Sequence, residues 1–144
     1  MEYRKMGDTW TVRLERGEEV LACLTELCAR ENIALGTVTA IGAADEATLG
    51  LYDVPTQTYH SQTFAMPMEI CSLTGNVTRK DGAVYLHLHA ALCDPQLRVW
   101  GGHVNRLRIS ATCELFVREL PGAVGRRQDP AVGLNVFDFE GESR

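Results

Sequence analysis

From Arg106 to Arg118 the sequence keeps a period of two: Leu107, Ile109, Ala111, Cys113, Leu115 and Val117 alternate with Arg106, Arg108, Ser110, Thr112, Glu114, Phe116 and Arg118. Successive side chains of a strand point to opposite faces, so this pattern gives one face to a core and the other to solvent. An amphipathic helix would need apolar spacings of three and four instead. One long, half-buried strand therefore constrains everything else, because the remaining chain must supply its sheet and a cover for its apolar face.

Most of that remainder is also β in pattern. Strands are expected at Thr9 to Leu14, Gly36 to Ile41, Ala47 to Tyr52, around Thr58, at Met68 to Thr78, Ala83 to Leu92 and Leu97 to Val104. Between two of them, Asp81 and Gly82 supply the positive φ values of a tight hairpin turn. One segment breaks the pattern. Over Val20 to Arg30, Val20, Leu24, Leu27 and Cys28 share a helical face, with Glu18 and Glu19 before it and Arg30 near its end, as the helix dipole favours. Residues 121–133 are rich in glycine, proline and charge and are expected to form a mobile loop, after which Leu134 to Phe139 returns to the sheet as a last short strand. The 144 residues suffice for one core, so residues 1–144 are expected as a single α+β domain: a mostly antiparallel sheet with one main helix packed on it.

Composition excludes several classes. A hydrophobic fraction of 45% and a charged fraction of 23% argue against disorder, collagen or coiled coil. The net charge of -5 speaks against a protein devoted to polyanions, although Arg98, Arg106, Arg108, Arg118, Arg126 and Arg127 make the later part locally basic. Five cysteines without a C-x-x-C pair fit core residues in a reducing compartment, and the charged N-terminus lacks an apolar signal core. No apolar run suits a membrane span, so a cytoplasmic protein is expected. Nucleotide-binding glycine loops, the G-x-S-x-G elbow and H-E-x-x-H are all absent.

The chemistry is concentrated in three histidines. In Val84 to Ala90, period two sends Val84, Leu86, Leu88 and Ala90 inward, so His87 and His89 share the opposite face with Cβ atoms about 7 Å apart. Two imidazoles so placed converge on one cation. His103 follows Gly101 and Gly102, which permit a close backbone path, and completes a set of three neutral nitrogens with a fourth position open. Zinc is the first expectation, with nickel, copper or cobalt able to compete for the same nitrogens. Ligating histidines commonly donate their second N–H to a carboxylate, which makes the strand glutamates Glu69 and Glu114 the candidates for that role or for acid–base work. Cys93 is read as a packed turn residue rather than a fourth ligand, and His60 as surface.

The stretches Met68 to Asn76, Leu86 to Ala90, Gly101 to Val104 and Thr112 to Leu115, in that order and spacing, resemble the plants-and-prokaryotes-conserved (PPC) domain family in its bacterial and archaeal form. The resemblance implies an antiparallel sheet flanked by helices, a homotrimer, and a metal site at the positions of His87, His89 and His103 beside a subunit boundary. Plant relatives join the domain to an AT-hook with an Arg-Gly-Arg-Pro core; Gly125, Arg126, Arg127 and Gln128 do not match it. Two functions follow as expectations. One is a metal-binding protein that engages an unidentified small-molecule ligand, whether or not it turns that ligand over. The other is a DNA-associated regulatory or architectural protein using the domain as an oligomerisation platform. A cupin-like barrel enzyme would share the H-x-H element but lacks the expected glutamate after His89.

Overall fold

Alternation over so much of the chain produces a sheet that closes on itself. The computed structural model describes residues 1–140, and in these the order is β1 (Glu2–Met6), β2 (Thr9–Glu15), α1 (Val20–Arg30), β3 (Gly36–Asp53), β4 (Thr58–Phe64), β5 (Met68–Lys80), β6 (Ala83–Cys93), β7 (Val99–Glu119), β8 (Gly125–Asp129) and β9 (Leu134–Asp138). All pairings are antiparallel. β3 pairs with β5, β5 with β6, β6 with β7, and β7 returns to β3, so these four strands form a ring. β2 and then β1 extend from β7, and β4 extends from β3.

The core lies inside this ring and beneath α1. Leu14, Leu73, Leu88, Leu92, Leu107, Ile109 and Leu115 are fully buried there. The helix buries Val20, Leu24, Leu27 and Cys28, the four residues its spacing selects, and packs on β6 and β7. Glu19 caps it, accepting from the Ala22 amide at 2.8 Å and from the Leu107 amide of β7 at 3.0 Å. One carboxylate thus satisfies an orphan helix N–H and fastens the helix to the sheet. Between β5 and β6, Asp81 and Gly82 have φ of 51° and 79° and form the two-residue turn expected of them.

Several strands differ from the sequence expectation. β3 and β7 are continuous because irregularities in their mutual pairing absorb what look like breaks in the sequence. At one of these, the single residue of β3 between Gly42 and Ala44 opposes the three of β7 between Ile109 and Cys113. Ala111 sits in that bulge and is exposed, although strict alternation would bury it. β1 has no sequence counterpart. Within the expected loop 121–133 lies β8, and β9 pairs with β8 in a separate two-stranded sheet rather than returning to the main one. Among the described residues no helix is long and apolar enough to cross a membrane.

Candidate metal centre

β6 turns Leu88, Ala90 and Leu92 into the core, so His87 and His89 stand on its other face. β7 runs antiparallel beside it with His103 directly opposite His89. The third histidine therefore comes from within a strand. The ring centroids are 5.1 Å apart for His87 and His89, 5.2 Å for His87 and His103, and 5.5 Å for His89 and His103. Each ring offers one nitrogen, and these nitrogens all lie within 4.8 Å of one another. A tetrahedral ion bonded at 2.0–2.1 Å sets its ligand atoms about 3.4 Å apart, so small inward ring rotations bring the three into coordination.

Backbone contacts hold the rings this close. At Gly75 an added Cβ would sit 2.0 Å from the His87 carbonyl oxygen, and at Gly102 it would sit 2.6 Å from the Gly50 carbonyl oxygen. These glycines let β5 close on β6 and β3 close on β7 beside the imidazoles. Gly101 has more room, with 3.3 Å to the nearest atom. Tyr59 lies over Gly50, its ring edge-on to His103 at 6.5 Å, and its hydroxyl is hydrogen-bonded to the Asn105 side chain.

The electrostatics favour neutral rings. Burial, reinforced by the positive charge that His103, His89 and Arg126 can present, holds His87 down at about 4. Burial first, then His89, lowers His103 as well. Near pH 7 both keep free nitrogen lone pairs, the state a metal requires. Three imidazole nitrogens on a partly exposed face are a donor set that suits a divalent metal ion.

The expected carboxylate support is not brought to the cluster. Glu69 faces Cys93 across the β5–β6 pairing, four residues along β6 from His89, or about 13 Å at strand rise. Glu114 pairs with Arg13 and Ile41, eleven residues along β7 from His103. Among the described residues no carboxylate hydrogen-bonds any of the three imidazoles. The Cys93 thiol donates to the Asp94 carbonyl at 3.7 Å, outside the histidine group. His60 is exposed, in strand β4 rather than in a loop.

Sequence reasoning did not connect Asn76, Tyr59 or Arg126 with the histidines. Asn76 is the cross-strand partner of His87 and accepts a hydrogen bond from Arg126 at 2.6 Å. Only the Asn76 position carried a signal, since an H-x-H strand in a hairpin with β5 predicts which residues face the histidines.

The family model described as the Plants and Prokaryotes Conserved (PCC) domain matches residues 1–121. A crystal structure from Bacteroides thetaiotaomicron, provisionally named a DNA-binding protein, is 32% identical with a TM-score of 0.94, covering 96% of this chain and 97% of that one. A metal-containing protein from Archaeoglobus fulgidus is 32% identical with a TM-score of 0.86, covering 94% of this chain and 96% of that one. The bifunctional protein GlmU of Synechococcus sp. (strain JA-3-3Ab) is 32% identical over 134 residues, which are 91% of this chain. The match covers 20% of GlmU, so the chain spans about a fifth of the length of that curated relative.

Proposed function

The chain belongs to the Plants and Prokaryotes Conserved (PCC) domain family, and on that premise we propose that it is a metal-binding protein in which His87, His89 and His103 hold one divalent ion, zinc first, and leave a position open to a small-molecule ligand. The observation that carries this reading is the convergence of three imidazole nitrogens within 4.8 Å. The metal-containing relative from Archaeoglobus fulgidus, at 32% identity over nearly the whole chain, supports it. A bound ion would act as a Lewis acid toward its ligand. The chain's own residues position that ion: the β6–β7 register sets His89 against His103, while Gly75 and Gly102 fix the distance between strands.

A homotrimer is part of the proposal. Ile41, Leu51, Leu97, Val99 and Phe116 are each at least half exposed in the single chain, the kind of apolar surface that an assembly covers. Light scattering should give about three times the 15.9 kDa of one chain.

The alternative, DNA association, has the name of the Bacteroides thetaiotaomicron relative behind it. Against it stands the pairing of Arg98, Arg106, Arg108 and Arg118 with carboxylates.

Elemental mass spectrometry on untagged protein tests the metal reading. Wild type should carry one equivalent of metal per chain, and His89→Ala should lose it. Equal metal in both, or none in either, overturns the reading.

A further inference from the structure

The hairpin β8–β9 follows the family-matched residues 1–121, yet it packs on β5 and brings Arg126 to the sheet face that carries the histidines. The Arg126 guanidinium lies 4.8 Å from the Tyr85 ring and 4.4 Å from the Phe137 ring. Its Nε donates to Thr78 Oγ1 at 3.0 Å, Nη1 to the Asn135 carbonyl at 3.3 Å, and Nη2 to Asn76 Oδ1 at 2.6 Å. Asn76 is the cross-strand partner of His87, and Tyr85 precedes His87 by two positions on the same face.

All three acceptors are neutral. Among the described residues no carboxylate lies within ion-pair distance of Arg126, whereas Arg98, Arg106, Arg108 and Arg118 each have one. Among the described residues Arg126 is thus a half-buried cation without a counter-charge, a costly arrangement that hydrogen bonds to neutral groups offset only in part. Three of its five N–H groups are used, leaving one on each terminal nitrogen. A divalent ion on three neutral imidazoles would add two more positive charges to the same face, again with no carboxylate among its protein ligands. An anion between the two cations resolves both deficits.

We infer that the metal centre takes a small carboxylate, with one oxygen on the open metal position and the other on the free Nη hydrogens of Arg126. The inference rests on the metal reading above. Arg126 selects the ligand class and the ion binds it. The guanidinium lies over two rings and keeps one uncommitted N–H on each terminal nitrogen, a pair that suits a planar, two-oxygen group.

The test uses the full-length, untagged protein loaded with cobalt(II), whose visible bands report the coordination shell. It is titrated separately with acetate, imidazole and inorganic phosphate. Acetate should shift the bands, and Arg126→Met should weaken acetate about tenfold or more while leaving imidazole, a neutral ligand, within about twofold. Arg126→Lys, which keeps the charge but loses the fork, should fall between wild type and Arg126→Met. Because Arg126 also anchors the hairpin, unchanged imidazole binding in the same sample shows that the site is intact. Equal acetate affinity in wild type and Arg126→Lys, or in wild type and an Arg126→Met protein that still binds imidazole, overturns the role of Arg126. Tighter binding of phosphate than of acetate overturns the carboxylate class. A wild type that takes up no cobalt overturns the metal reading, and this inference with it.

Discussion

An imidazole is a ligand only while its lone pair is free, and the surroundings of His87 keep it so well into the acid range. In the folded chain His87 is held at about 4, below the ordinary value of about 6.5, first by burial and then by its charged neighbours. The unfolded chain therefore takes up the proton first. The stability of the metal-free protein should fall as pH drops from about 6.5 toward about 4 and level off below that, as far as this group is concerned. Denaturant midpoints of chelator-treated protein across that range check it: His87→Gln should flatten the slope, and an equally steep slope in the variant assigns the effect to other groups. Gly75 matters at the same scale. A Cβ there would lie 2.0 Å from backbone, so Gly75→Ala has to push β5 away from β6, at a cost of about 1–3 kcal/mol by analogy with overpacked cores. Equilibrium unfolding should show the loss, and calorimetric metal titration should show weaker binding than wild type. The histidines were legible because strand periodicity is local, and Gly102 was legible because it adjoins one of them. Gly75 gave no such signal, since its constraint is an approach between strands that only pairing creates.

At the scale of elements, what the sequence discloses depends on how far away the determining contacts lie. α1 was legible to its ends, because its apolar face and its flanking charges all fall within about a dozen residues. The Asp81–Gly82 hairpin was legible for the same reason. The continuity of β3 and β7 was not, because a bulge is defined by the partner strand it is out of step with. Strand β9 was expected, but β8 and its pairing with β9 were missed, because β8 docks through Arg126 on Thr78 and Asn76, about fifty residues earlier, and the glycine and proline content of residues 121–133 resembles a loop. Helix α1 is tied down by an equally distant contact. Arg79 of β5 donates through Nη2 to the Cys28 carbonyl at 3.0 Å and the Ile33 carbonyl at 3.1 Å, supplying a charged donor at the helix C-terminus where the dipole is negative. Arg79→Ala should lower stability by about 1–3 kcal/mol, while metal stoichiometry stays at the wild-type value, since Arg79 is not among the ligands. Chemical denaturation and elemental analysis of one preparation measure both, and unchanged stability would show the cap to be idle.

For the whole molecule, the question is whether the basic stretch of sequence becomes a basic surface. Association with duplex DNA needs several unpaired cations along one face, because affinity comes mainly from neutralised phosphates and released counterions. The fold takes four of the six arginines in the other direction, and leaves Arg127 exposed without an ion pair among the described residues. Arg106 bonds Glu46, Arg108 bonds Asp45 and Glu46, Arg118 bonds Asp8, and Arg98 bonds the buried Asp94. Arg126 is turned inward between two rings. All but the local Arg98–Asp94 pair join residues distant in sequence, which explains why a run that looks basic in the sequence need not be basic in space. Exposed pairs of this kind are weak, and a phosphate could displace a carboxylate partner, but each displacement would leave an acid facing the polyanion on a chain of net charge -5. Fluorescence anisotropy with a labelled duplex should accordingly show no saturable binding near 150 mM salt and at most a weak signal at low salt. If binding is instead tight and falls steeply with salt, the slope counts the phosphates contacted; loss of that slope in Arg106→Gln or Arg108→Gln would place the DNA on the β3–β7 face and make it the partner that this surface serves.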